Sequence, residues 1–297
     1  MDGPLKTIQE WLLKGMTLLR EMGVEAPTIE AKVLMLKATG LSEERFFASP
    51  ERPLARREEK TFLRLLNVRL SGAPLAYVVR EKEFWSLAFR TPPGVFIPRP
   101  ETELLVEKAI ELSSRGEETI VDIGTGSGNI AVALARELPG ARMVATDISA
   151  RAIHAARWNA QRHGVGKILF VRGNLFSALR GLGLEGRCDF ILSNPPYVSA
   201  AEYEGGTVLR QGGSPLSYEP RRALVPGKTG LEFIRRLVRG APAYLKPGGF
   251  LLFEIGEGQA ESVLSLFDER VWSSVGSSPD LSGIPRLISA RQFGGNY

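Results

Sequence analysis

The sequence predicts a doubly wound, mostly parallel α/β sheet preceded by a small helical domain, and three observations carry that expectation. From Glu101 onward, strand-length apolar runs alternate with helical patterns. A glycine-rich turn follows the first of those runs directly. The first seventy or so residues, by contrast, show helical spacing between breakers.

Residues 1–75 are read as a small helical domain. Ile29, Val33 and Leu36 fall at i, i+4 and i+7 between Pro27 and Gly40, which predicts one buried helical face. A second helix is expected in LARREEKTFLRLLNVRL, with Leu54, Phe62, Leu65, Leu66 and Leu70 turned inward. The breaker SGAPL (Ser71 to Leu75) follows. In residues 77–91, YVVREKEFWSLAFRT carries two β-prone runs around a turn near Ser86 and predicts a hairpin. Residues 76–97 are therefore read as a hairpin linker, ending in the proline-rich run PPGVFIPRPETE. Residues 98–297 form the α/β domain, with strands expected at 119–123, 141–147, 167–172, 188–194 and 250–255.

Composition narrows the class. Hydrophobic residues make up 43% of the 297 and charged residues 24%, an ordinary globular profile. No run approaches the ~18 apolar residues of a membrane span. The opening MDGPLKTIQEWLLKGMTLL is amphipathic and lacks a small-residue cleavage site, so no signal peptide is expected. The one cysteine, Cys188, excludes an internal disulfide; it reads as a small buried side chain entering a strand and fits a reducing cytoplasm. The net charge is 38 − 33 = +5, and residues 1–75 hold 12 basic and 10 acidic groups, so no basic tail is present. The run Arg235 to Arg239 reads as a solvated helix face. His154 and His163 share one amphipathic helix without a carboxylate or cysteine at metal-ligand spacing, so both read as helix-surface residues and no metal is expected. Glu101 and Glu103 suit the positive end of a helix.

Two constellations carry chemistry. After the first strand comes DIGTGSGNI, with Gly124, Gly126 and Gly128 at alternate positions around Thr125 and Ser127. Such a loop lets a ligand approach the backbone against a helix N-terminus. The spacing is not the dinucleotide G-x-G-x-x-G, whose third glycine would fall at Asn129. Asp147 ends the next strand, where an acidic side chain accepts from ribose hydroxyls, and no Walker lysine is present. Loop and acid together imply an adenosine-bearing cofactor. Capping the helix that starts at Ser149 is the competing role for Asp147.

The second constellation is Asn194-Pro195-Pro196-Tyr197, at the carboxyl end of the fourth strand and so on the same rim as the glycine loop. The Asn194 side-chain oxygen and the Pro195 carbonyl are two acceptors suited to both hydrogens of one planar NH2. Pro196 stiffens the loop, and the Tyr197 ring suits a flat amide or base. A slot of this kind orients an amide nitrogen, a poor nucleophile, for attack on an activated methyl.

These features resemble the class I S-adenosylmethionine-dependent methyltransferases that act on planar nitrogens. GAPLAYVVREKEFWSLAF, VFIPRPETELLVE, YEPRRAL and LKPGGFLLFEIGEGQ narrow the resemblance to the HemK/PrmC family, over about residues 5 to 292. The pairing of IPRPETE with NPPY is the specific part. The resemblance implies a Rossmann-like seven-stranded sheet and methylation of N5 of the glutamine in the Gly-Gly-Gln motif of class I peptide chain release factors. It implies S-adenosyl-L-methionine as donor and S-adenosyl-L-homocysteine as product, in a cytoplasmic monomer with no stable nucleic-acid or membrane partner. By position, Gly124 to Gly128 would hold the methionine part of the cofactor and Asp147 its ribose. Asn174 and Leu175 would flank the adenine, and Asn194, Pro195, Pro196 and Tyr197 would hold the target amide. The rivals are a DNA adenine N6-methyltransferase, which needs base flipping and a basic reading surface, an rRNA amine methyltransferase, and a non-catalytic cofactor-binding module.

Overall fold

The computed structural model describes residues 5–205 and 216–294; the first four residues of the N-terminal segment and the last three of the chain lie outside that range. The described residues form two compact units, one of residues 5–81 with 216–218, the other of residues 82–205 with 219–294.

The first unit packs helices α1 (Ile8–Glu21), α2 (Pro27–Thr39), α3 (Glu43–Ala48), α4 (Arg56–Leu70) and α5 (Leu75–Val79) around Trp11, Leu34, Met35, Phe62 and Leu66. Thr7 starts α1 with a reciprocal capping box to Glu10. Helix α4 buries Phe62, Leu65 and Leu66 as the spacing predicts. In α2 the phase differs from expectation: Ile29 is 60% exposed, and the buried face is Glu30, Ala31, Leu34 and Met35. The reason is a charge on the inner face. Glu30 receives Arg69 of α4 in two hydrogen bonds of 2.6 and 3.2 Å, a pair that apolar spacing cannot reveal. Tyr77, Val78 and Val79 also depart from the hairpin reading, forming the buried helix α5, because burial against this core outweighs their β preference. That helix stops at Arg80, held at φ 60°.

From Lys82 the second unit opens with the hairpin β1 (Glu81–Phe84, its first residue counted with the first unit) and β2 (Leu87–Arg90), turned at Trp85 and Ser86 with φ of 52° and 53°, the primed geometry that matches strand twist. Helix α6 (Glu103–Leu112) follows, and its Glu103 accepts the Trp85 amide at 2.7 Å. The main sheet then runs β3 (Thr119–Ile123), α7 (Asn129–Glu137), β4 (Arg142–Asp147), α8 (Ala150–Arg162), β5 (Ile168–Arg172), β6 (Cys188–Ser193), α9 (Ala200–Gly205), α10 (Glu232–Gly240), β7 (Leu245–Glu254), α11 (Ala260–Leu264), β8 (Trp272–Pro279) and β9 (Pro285–Gln292). Its seven strands lie in the order β5-β4-β3-β6-β7-β9-β8. Five are parallel, and β9 is antiparallel to both neighbours. Neighbouring residues on the central strands feed opposite cores: Val121, Ile191 and Leu251 enter one cluster, Ile120, Leu192 and Leu252 the other. Burial on both faces is why these strands read as unbroken apolar runs.

The predicted strands stand within a residue or so, except that β7 begins earlier, at Leu245. Its Pro247-Gly248-Gly249 entry is accommodated by a register shift opposite Cys188 and Phe190. Cys188 is fully buried, and burial pushes its thiol up to about 12. His154 is exposed, as expected of a helix surface. His163 is not a plain surface residue: at the end of α8 its Nε2 lies 3.0 Å from the Ala88 carbonyl and its ring packs on Phe89, pinning the hairpin. No helix among the described residues is long and apolar enough to cross a membrane.

Candidate active site

A cavity of about 370 Å³ opens along the carboxyl ends of β3, β4 and β6. Its floor is the loop from Gly124 to Gly128, where the three glycines hold φ of 79°, 55° and 83°. The glycines serve different needs. A Cβ on Gly124 would meet no protein atom within 4 Å and one on Gly126 only a carbonyl oxygen at 4.0 Å, so their bare backbone faces the cavity. A Cβ on Gly128 would lie 2.9 Å from that of Ala156, so this glycine admits the α7–α8 contact. The loop is anchored throughout. Gly124 and Thr125 both donate to the Thr146 carbonyl at 2.8 Å, and the buried Asn159 amide donates to the Ser127 carbonyl at 2.8 Å. Thr125 donates its hydroxyl to Asp122 at 2.6 Å, while Ser127 turns to Asn129 and is buried. Burial, reinforced by the charge of Asp147, pushes the Asp122 carboxyl up to about 7.

Asp147 closes the rim. One carboxylate oxygen accepts from Gly126 at 3.0 Å and the other from Ser149 at 2.8 Å, so the acid ties β4 to the glycine loop. Ser149, not Asp147, caps α8. Burial raises the Asp147 carboxyl, opposed by those amides and by the Arg222 charge. Asn174 and Leu175 line the far wall, the latter buried with φ 48°, a costly value for leucine of the kind found where a site fixes the backbone. Arg236 of the Arg235–Arg239 run is exposed as predicted, yet it also lines this cavity with Arg222.

Asn194 and Pro196 line the same cavity. Asn194 Nδ2 donates to Thr102 Oγ1 at 2.8 Å, and Thr102 in turn donates to Glu254 at 2.6 Å. Pro195 is buried outside the lining, and so are Gly128 and Ser127. Tyr197 sends its hydroxyl to Glu254 at 3.1 Å and packs its ring against the core rather than the cavity. The Tyr197 carbonyl is held by Gln259 at 2.9 Å. The preceding proline-rich segment is clamped by Glu219, which accepts from the Ile97 amide at 3.0 Å and pairs with Arg99.

Comparison with known proteins fits this arrangement. The PrmC N-terminal domain family matches residues 10–79 and the Methyltransferase small domain family residues 86–210. A release factor glutamine methyltransferase from Nitratidesulfovibrio vulgaris is 39% identical over 289 residues, covering 96% of this chain and 95% of the relative. The chain belongs to the release factor glutamine methyltransferase family. Another member, from Geobacter sulfurreducens, is 39% identical over 274 residues and covers 92% of each chain. A methyltransferase structure from Pyrococcus furiosus shares the fold at TM-score 0.50, with 22% identity, covering 72% of this chain and 92% of that one.

Membership makes the chain a methyltransferase, which requires a methyl donor. The site also contains groups that reading the sequence assigned no role: Thr102, Glu254, Glu219, Gln259 and Arg222. Each sits inside a stretch that carries the family resemblance, IPRPETE, FEIGEGQ or YEPRRAL. That is the signal by which they were open to discovery.

Proposed function

We propose that this chain transfers a methyl group from S-adenosyl-L-methionine to N5 of the glutamine in the Gly-Gly-Gln motif of class I peptide chain release factors, releasing S-adenosyl-L-homocysteine. The observation that carries this reading is the commitment of the Asn194 NH2 to Thr102, which leaves the side-chain oxygen as the acceptor available to the cavity. An incoming amide NH2 needs acceptors; the second in this reading is the Pro195 carbonyl, adjacent to Asn194 along the chain and accepting no hydrogen bond among the described residues, although Pro195 lies outside the lining of the cavity. Pro196 lines the slot, Tyr197 braces it from the core side through its hydroxyl on Glu254, and the helical N-terminal domain, read as residues 1–75, engages the body of the release factor.

The bare backbone of Gly124 and Gly126 fits a ligand in close contact, as the methionine part of the cofactor requires. Thr125, Ser127 and Gly128 keep that loop in shape, Asp147 takes the ribose, and Asn174 with Leu175 flanks the adenine. When bound, the cofactor supplies a methyl group activated by a sulfonium. The protein orients the weakly nucleophilic nitrogen toward it and favours positive charge developing there.

The test is methyl transfer to a Gly-Gly-Gln peptide, a matched peptide with Glu in place of Gln, a folded release factor and adenine-containing DNA, read by mass spectrometry. Methylation of the Gln substrates alone is expected; methylation of DNA with both Gln substrates untouched would refute the proposal. Asp147→Ala is expected to weaken S-adenosyl-L-homocysteine binding by roughly 1.5–3 kcal/mol, the scale of charge-assisted hydrogen bonds. Calorimetry showing unchanged affinity would remove Asp147 from the site.

A further inference from the structure

Glu254 ends β7 almost fully buried, where its two oxygens accept the hydroxyls of Thr102 and Tyr197. A threonine hydroxyl has one hydrogen. Because the carboxylate takes it, Thr102 Oγ1 faces Asn194 only with lone pairs and can bind only the NH2 end of the amide. The two ends of an asparagine amide have nearly the same shape, so packing alone does not choose between them. We infer that Glu254 and Thr102 are positioning residues that set the polarity of the Asn194 amide, keeping its oxygen toward the cavity as an acceptor. Resting on the amide-methylation reading above, this assigns to Glu254 the choice between a slot that binds an NH2 and one that repels it.

The consequence is unusual for a buried carboxylate. A glutamine at position 254 is nearly isosteric, but its NH2 can donate to Thr102 Oγ1. The Thr102 hydrogen is then free to donate to Asn194, which satisfies it by turning its oxygen inward and its NH2 into the cavity. Two NH2 groups would then face each other. Protonation acts in the same direction, since the neutral acid can donate to Thr102. Burial pushes Glu254 up to about 7, with the Glu101 charge raising it further and Arg286 and the two hydroxyls opposing. The carboxylate is the form that holds the acceptor slot, so turnover should rise with pH through about 7.

The test uses the full chain and the variants Glu254→Gln, Thr102→Val and Thr102→Ser. S-adenosyl-L-homocysteine binding, assigned above to the glycine loop, Asp147, Asn174 and Leu175, serves as the check on folding, although Thr102 lines the same cavity. Turnover on the Gly-Gly-Gln peptide is expected to fall roughly 10- to 100-fold in Glu254→Gln and Thr102→Val, less than on losing a group in direct contact. Cofactor affinity should stay within about threefold. Thr102→Ser should recover most of the loss, and the rise of turnover with pH should flatten in Glu254→Gln, which keeps the Asp122 titration. In ¹⁵N spectra one Asn194 Nδ2 hydrogen should exchange slowly in the wild type and rapidly in Glu254→Gln. Wild-type turnover in both Glu254→Gln and Thr102→Val would overturn the inference while leaving the amide-methylation reading intact. If the wild type instead proves inactive on every Gln substrate, that reading fails. The exchange of the Asn194 hydrogens then decides the inference by itself: unchanged protection in Glu254→Gln overturns it, lost protection supports it. Should Glu254→Gln fail to fold, the same comparison between Thr102→Val and Thr102→Ser decides it.

Discussion

Asn194→Ala is expected to lower turnover by about 10²–10³, the typical loss when one preorganised partner of a developing charge is removed. Cofactor affinity should fall much less, because the carboxylate of Asp147 and the glycine loop are bonded to each other and not to Asn194. The loss should therefore appear in kcat rather than in binding. Asn194→Asp separates acceptor from donor. The new carboxylate keeps an acceptor toward the cavity, but its second oxygen faces Thr102 Oγ1, whose hydrogen already goes to Glu254. Partial activity is the expected outcome, because the donor that held the side chain in place is gone. Steady-state kinetics on the Gly-Gly-Gln peptide, together with calorimetry of S-adenosyl-L-homocysteine, checks both variants. An Asn194→Ala protein with wild-type kcat would remove the residue from the chemistry.

Gly230→Ala should cost about 2–5 kcal/mol of folding stability, combining a left-handed backbone with overpacking. Gly230 has φ +81°, and a Cβ there would lie 2.4 Å from the Tyr197 carbonyl oxygen and 3.0 Å from Gln259 Nε2. Gln259 is the group that holds that carbonyl, at 2.9 Å, so relief of the clash breaks the anchor of the NPPY loop. Catalysis should suffer along with stability. Denaturant unfolding measures the first effect and turnover of the surviving folded protein the second. A midpoint and kcat equal to the wild type would mean that the loop is not held from this side.

Much of the site was legible locally. The glycine loop could be read because alternate positive φ values admit little else, and Asp147 because it ends the adjacent strand. The tetrapeptide declared itself through two prolines where a ladder should continue. The parallel strands were visible because both faces are buried. By contrast, β8, with its run of Ser and Gly, and its antiparallel neighbour β9 carry no unbroken apolar run, since exposed and half-buried positions interrupt both and blur the pattern.

The sequence by itself determined the strand-helix alternation, the bare backbone under the cavity and the acceptors at the end of β6, because each depends on neighbours within a few residues. The tertiary structure alone decided the inward phase of α2, through Glu30 and Arg69, 39 residues apart. It alone turned Tyr77 to Val79 into helix and His163 into a hairpin anchor. It also decided which way the Asn194 amide faces, since Thr102 lies 92 residues from Asn194 and 152 from Glu254. Spacing along a chain encodes periodicity, whereas the direction of a hydrogen bond depends on which distant groups the fold brings within 3 Å.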